Sequence, residues 1–218
     1  MDQQELTNLF SKIDHTLLSV TATTADIAYL TEEAERAGAA SVCVPPCFVE
    51  EAKKRVKRVK VCTVIGFPNG YNTTASKVFE AKDAIERGAD EIDMVINVNR
   101  VKDGDLLYVE KEIAALREAT RGKILKVIVE TCLLTQEEKI ALCGAVTRAG
   151  ADYIKTSTGF SKAGAAIEDI LLFKRHIGAN VKIKAAGGIR SAESALAFLQ
   201  AGADRIGASA VIKGALKQ

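Results

Sequence analysis

Lys155 and Lys184 each stand inside a short apolar run of the kind that forms a buried strand. The runs are Asp152-Tyr153-Ile154-Lys155-Thr156-Ser157-Thr158-Gly159 and Val181-Lys182-Ile183-Lys184-Ala185-Ala186-Gly187-Gly188. Lysine is seldom fully buried, and an ammonium taken out of water must find a partner or give up its proton. Two of them in successive core strands point to amine chemistry. Two ammonium groups about 5 Å apart at an effective dielectric of about 20 repel by roughly 3 kcal/mol. That repulsion keeps part of one lysine as the free amine near neutral pH, the form that attacks a carbonyl to give an imine. Asp93, in Glu91-Ile92-Asp93-Met94-Val95-Ile96-Asn97, is placed to move protons during that chemistry. The same three residues could equally form a structural ion-pair cluster, and residue types alone leave both readings open.

The elements that position these side chains are legible from punctuation and periodicity. Gly38, Gly88, Gly150 and Gly202 each follow an amphipathic stretch and precede a β-rich run. Each is therefore expected to close a helix in the left-handed conformation. Strands are expected at 12–15, 41–44, 61–66, 91–97, 125–130, 153–157, 181–186 and 205–208. Helices are expected at 24–37, 48–58, 73–87, 105–119, 135–149, 165–176 and 191–201, with a short one from Ser209 onward. Thr135 with Glu138, and Ser191 with Ser194, mark helix starts. Strict strand–helix alternation implies parallel pairing with right-handed crossovers. Eight repeats without an early Gly-rich dinucleotide loop favour a closed (β/α)8 TIM barrel over an open doubly wound sheet. We expect an α/β chain with one domain over residues 1–218, carrying an extra N-terminal helix within residues 1–11.

Side-chain parity then sorts each strand. With Ile154, Ile183, Ile92, Met94 and Ile13 facing helices, the barrel interior receives Asp14, Asp93 and Glu130 together with Lys126, Lys155 and Lys184. An interior built for stability alone would be branched aliphatic. His15 has the opposite parity and is expected to pack away from the site. Beyond the seventh and eighth strands, Gly187-Gly188 and Gly207-Ala208-Ser209 fall where barrels hold phosphate on backbone N–H groups. Gly159, after the sixth strand, permits a similar close approach.

Composition narrows the class. The chain has 218 residues, 48% of them hydrophobic, with 30 basic and 28 acidic residues and a net charge of +2. No overall field favours nucleic acid or a membrane surface. The basic run Lys53-Lys54-Arg55-Val56-Lys57-Arg58-Val59-Lys60 has no interleaved aromatics and is expected to be a solvated helix face. No secretion signal or long apolar run is present, so a cytoplasmic protein is expected. Five cysteines without a C-x-x-C pair are expected to be reduced, packed thiols. Cys47, after Pro45-Pro46, is the thiol expected nearest the mouth. Two histidines leave few donors for a catalytic metal, and none is expected.

With these residues in place, the chain resembles the deoxyribose-phosphate aldolase family of Schiff-base barrel enzymes. The similarity runs through Ile13-Asp14-His15-Thr16, Gly66-Phe67-Pro68, the Asp93 strand, Lys126-Val127-Ile128-Val129-Glu130, Lys155-Thr156-Ser157-Thr158-Gly159, Lys184-Ala185-Ala186-Gly187-Gly188 and Gly207-Ala208-Ser209. The resemblance implies that Lys155 forms the Schiff base, and that Asp93 and Lys184 act as proton donors and acceptors. It implies substrate contacts at Asp14, Thr158, Gly159, Gly187, Gly188 and Ser209. The implied reaction is reversible cleavage of 2-deoxy-D-ribose 5-phosphate to D-glyceraldehyde 3-phosphate and acetaldehyde, with no cofactor. Homodimers or homotetramers are implied as well. Phe160 stands where some relatives have lysine, and the chain ends at Leu216-Lys217-Gln218 without the terminal tyrosine of some longer members. Another phosphate-binding barrel enzyme, or a catalytically silent sugar-phosphate-binding barrel, remains the alternative because fold does not fix function.

Overall fold

Eight short strands close into a barrel in sequence order, each parallel to its neighbours, with the last paired to the first. The structure is a computed structural model that describes residues 2–216; Met1, Lys217 and Gln218 lie outside the described residues. The strands are β1 (Ile13–Thr16), β2 (Ser41–Val44), β3 (Lys60–Ile65), β4 (Glu91–Val95), β5 (Ile124–Ile128), β6 (Tyr153–Lys155), β7 (Lys182–Ala186) and β8 (Arg205–Ala208). The extra helix α1 (Gln3–Phe10) precedes β1. The outer ring comprises α2 (Thr24–Ala37), α3 (Val49–Arg55), α4 (Thr74–Glu86), α5 (Val98–Lys102), α6 (Leu106–Ala119), α7 (Gln136–Arg148), α8 (Ile167–His176), α9 (Ala192–Ala201) and α10 (Val211–Leu216). This is a (β/α)8 TIM barrel. Among the described residues, no helix is long and apolar enough to cross a membrane.

Local chemistry accounts for the boundaries. Gly38, Gly88, Gly150 and Gly202 all adopt positive φ, as a helix-to-strand turn requires. Thr135 and Glu138 form the reciprocal capping box that starts α7, and Ser191 accepts from the Ser194 amide at the start of α9. Three expectations are corrected. The fourth strand stops at Val95, and Asn97, expected in the strand, instead caps α5, a five-residue helix in a stretch where no element was expected. The helix expected from residue 48 starts at Val49 after a 3-10 turn over Pro46–Phe48, since the two prolines cannot donate to a helical ladder. The sixth strand ends at Lys155, although the Thr156 amide still donates to the Lys184 carbonyl.

The apolar core lies between sheet and helices, not inside the barrel. Ile13, Val42, Ile92, Met94, Val127, Ile154, Ile183 and Ile206 are buried there beside Ile27, Leu30, Ile113, Leu142 and Phe173 from the helices. The basic run at 53–60 is met by carboxylates: Lys53 by Asp90, Lys54 by Glu50, Arg55 by Glu51 and Arg58 by Glu35. His15 points outward to Glu33 on α2, at 3.0 Å.

Candidate active site

Strand register carries the two lysines to one level. Lys155 pairs with Lys184 across β6 and β7, and Ile128 pairs with Lys155 across β5 and β6. Alternation then turns both lysines inward, where they meet Asp93 from β4. Lys155 Nζ and Lys184 Nζ each donate to Asp93 Oδ2 at 2.7 Å, so the two nitrogens lie within twice that distance of each other. Lys126 donates to the other oxygen, Oδ1, at 2.9 Å.

The cluster continues downward. Asp14 accepts from Lys184 and, through Oδ1, from Ser41 at 2.7 Å and Arg205 at 2.5 Å. Glu91 meets Lys126 at 2.6 Å and Arg205 at 3.3 Å. The interior thus holds four cations, Lys126, Lys155, Lys184 and Arg205, against three carboxylates, Asp14, Glu91 and Asp93. All but Arg205 and Lys155 have fully buried side chains, and Lys155 is nearest the opening.

The electrostatics follow from these contacts. Burial raises the Asp93 carboxyl, but Lys126, Lys155 and Lys184 outweigh it and hold Asp93 well below the usual carboxylate range. Burial opposes charge on Lys184 too, yet Asp14 and Asp93 prevail and hold it above an ordinary lysine. Lys184 is therefore a fixed ammonium beside the reacting amine. Asp14 is likewise depressed, against burial, by Lys184, Lys126 and Arg205.

Above the cluster opens a cleft of about 460 Å³ with Lys155 at its base. Thr158, Gly159, Gly187, Gly188 and Ser209 all line it. Glycine is required at 187: its φ is +88°, and a Cβ would stand 3.0 Å from Gly164 Cα. Asp14 does not line the cleft. It is fully buried, and its oxygens accept from Lys184, Ser41 and Arg205. Thr158 reaches the cleft with its hydroxyl already donating to Glu130 and accepting from the Phe160 amide.

Sequence reasoning missed several participants. Arg190 is the other cation lining the cleft, and Glu91 and Arg205 complete the buried network. Parity could have found the last two, since Glu91 shares a face with Asp93, and Arg205 with Gly207. The thiol beside the amines is Cys62 on β3, 3.4 Å from Lys126 Nζ, with Cys43 buried on β2 next to it, whereas Cys47 is exposed in the turn that follows β2. Cys43 stands next to Cys62, whose Sγ lies 3.3 Å from Asp93 Oδ1. Donor atoms of Cys43, Cys62 and Asp93 fall within 4.8 Å of one another. The Lys126, Lys155 and Lys184 ammonium groups already fill the Asp93 side of that trio, and their charge repels a metal cation.

A (β/α)8 barrel with two amines about one buried carboxylate, at the foot of a glycine-lined cleft, has the architecture of an imine-forming lyase. The sequence matches the DeoC/LacD family aldolase over residues 2–216. It is 54% identical over 210 residues to the deoxyribose-phosphate aldolase of Streptococcus pyogenes, covering 96% of this chain and 94% of that protein. It is 52% identical over 207 residues to the enzyme of the same name from Clostridioides difficile, covering 94% of each. Among solved structures, the tetrameric deoxyribose phosphate aldolase of Aeropyrum pernix superimposes with a TM-score of 0.88 at 32% identity, covering 98% of this chain and 96% of that one. The chain belongs to the DeoC/LacD aldolase family.

Proposed function

We propose that the chain is a metal-independent aldehyde-lyase that reversibly cleaves 2-deoxy-D-ribose 5-phosphate to D-glyceraldehyde 3-phosphate and acetaldehyde. The observation that carries this reading is the shared oxygen: Lys155 and Lys184 both donate to Asp93 Oδ2 at the base of the cleft. Membership of the aldolase family supports it.

In the cleavage direction the unprotonated amine of Lys155 adds to the C1 aldehyde, and the adduct loses water to give an iminium. Removal of the C3 hydroxyl proton then breaks the C2–C3 bond. Its electron pair moves into an enamine on Lys155, and glyceraldehyde 3-phosphate leaves. Protonation at C2 and hydrolysis release acetaldehyde. The iminium is the electron sink, so the chemistry needs no organic cofactor or metal. Asp93 and Lys184 act as proton acceptor and donor around the amine, with Asp14 and Lys126 holding them in place. Thr158 faces the sugar, while Gly159, Gly187, Gly188, Ser209 and Arg190 receive the phosphate, which lies two carbons from the acceptor carbonyl carbon.

The chain acts as one domain in the cytoplasm, in deoxyribonucleoside and carbohydrate catabolism, as a homodimer or homotetramer; the name of the Aeropyrum pernix relative describes a tetramer. Purified protein should release acetaldehyde from 2-deoxy-D-ribose 5-phosphate with undiminished rate in EDTA. Phosphate binding without acetaldehyde release would support a silent barrel instead.

A further inference from the structure

Glu130 is the one non-glycine residue at positive φ among the described residues, with φ +57°. L side chains enter that region rarely, so the fold holds a carboxylate at a point where glycine would sit more easily. Its side chain is buried and, among the described residues, meets no cation within ion-pair distance, unlike Asp14, Glu91 and Asp93. Its partners are Thr158, which donates through its hydroxyl and, at 3.3 Å, through its amide. Ile128 is the register partner of Lys155, and Glu130 stands two residues further along. It therefore projects toward the mouth beside Lys155, whereas Asp93 lies beneath.

Glu130 also lines a second, smaller cavity of about 100 Å³, separate from the phosphate-sized cleft but sharing Thr158 and Phe160 with it. Asn69 and Ser161 add polar groups, and Val95, at the barrel level of Lys155, lines the same space. The volume suits a few waters with polar partners and is too small for a sugar phosphate.

The two carboxylates are thus fitted for different work. Asp93 has three ammonium partners and is a standing anion, a poor source of protons. Glu130 has none among the described residues, and burial raises it from its ordinary value, against the lowering effect of Thr158 and of Lys155. The groups facing it from the surrounding elements are Lys155 on β6, the Cys132 thiol 4.0 Å away in the following turn, and the uncharged Val95, Val98, Pro68 and Asn69.

We propose that Glu130 is the proton donor that turns the Lys155 adduct into an imine, acting through water held in the small cavity. The inference rests on the aldolase reading above. The carbon–oxygen bond of the adduct breaks, and its oxygen takes the Glu130 proton and leaves as water. The nitrogen lone pair closes the C=N bond, leaving a protonated iminium on Lys155 and a carboxylate on Glu130.

The test is the rate of imine formation with acetaldehyde, followed by rapid borohydride quench across pH, in wild type and Glu130→Gln. A wild-type adduct on Lys155 is expected; its absence would sink the aldolase reading and this one with it. Given that adduct, Glu130→Gln should still label Lys155, about a hundredfold more slowly at neutral pH. Affinity for inorganic phosphate should be unchanged, and the alkaline decline caused by ionisation of Glu130 should disappear. A rate within about twofold of wild type with the same pH profile overturns the proposal. A rise in KM for sugar phosphate with kcat unchanged also overturns it, because that is what a merely structural support for Thr158 would give. Should the glutamine variant fail to fold, Thr158→Val decides. Losing the hydroxyl that stabilises the carboxylate should move the alkaline decline to higher pH, and an unmoved decline contradicts the proposal.

Discussion

Lys155 and Lys184, partners in register on adjacent strands, donate to the same carboxylate oxygen of Asp93. Their attachments differ beyond that oxygen. Lys184 is also bound by Asp14, while Lys155 has no second carboxylate among the described residues and opens onto the cleft. One amine is anchored as a cation and the other is presented to substrate.

This asymmetry sets the expected behaviour of the variants. Lys155→Leu should abolish turnover with the fold intact. Lys184→Leu removes the neighbouring cation and leaves Asp93 to hold Lys155 as an ion pair, so kcat should fall by about a hundredfold or more. Steady-state kinetics on 2-deoxy-D-ribose 5-phosphate would show it, and near-normal turnover of Lys184→Leu would refute the proposed coupling.

Stability should be flat near neutrality and fall at both extremes. Asp14 and Asp93 titrate lower in the folded protein, because the lysines overcome the effect of burial. Their contribution is present above the unfolded value of about 3.9 and is lost as pH falls through the lower folded values. Lys126 and Lys184 are raised by Asp93 and Asp14 against burial, so their contribution is intact below about 10.4 and is lost as pH rises beyond it. Thermal unfolding from pH 3 to 11 should give a plateau with two declining limbs. A midpoint that rises on acidification below pH 4 would contradict the assignment.

Glu35 is expected to be a structural carboxylate remote from catalysis. It accepts the amides of Lys57, Arg58 and Val59 at 2.8–2.9 Å, which offset burial and bring it down to about 2. Glu35→Gln should cost about 1–3 kcal/mol, leave kcat unchanged and remove part of the acid limb between about pH 4 and pH 2. Denaturant titration at pH 7 and pH 3 separates these effects.

Lys77 and Glu112 form a fully buried pair at 2.8 Å, and Lys77 also donates to the Val95 carbonyl at the end of β4. Lys77→Met leaves Glu112 uncompensated and should destabilise by about 3–5 kcal/mol. The double variant Lys77→Met/Glu112→Gln should recover much of that loss in urea melts.

Gly187→Ala introduces a Cβ 3.0 Å from Gly164 Cα and 3.4 Å from Gly159 Cα. The turn must shift at the phosphate end, so KM for the sugar phosphate should rise at least about tenfold while imine formation with acetaldehyde persists. Equal losses on both substrates would argue against a phosphate role for this turn.

Most of the barrel was legible because its punctuation is local. The four helix-closing glycines and the alternation around Ile154, Ile183 and Met94 fix strand, helix and facing without tertiary information. What escaped depends on three-dimensional neighbours. The partners of Asp14 could not be read from its strand, because Arg205 and Ser41, which donate to its oxygen, are distant in sequence. Lys77 carries no mark of burial in the sequence, because nothing nearby announces Glu112 on α6. Asn97 belonged to a strand by composition and became a helix cap by geometry. Cys43 and Cys47 are four residues apart, and only the turn between them sends one inward and the other to solvent.

The central claim is that Lys155 carries the substrate as an imine. Borohydride reduction in the presence of acetaldehyde, followed by intact mass and peptide mapping, tests it directly. The account predicts a single two-carbon reduced adduct, confined to Lys155 and absent from Lys155→Leu. No adduct, or labelling scattered over surface lysines with Lys155 unmodified, would contradict it.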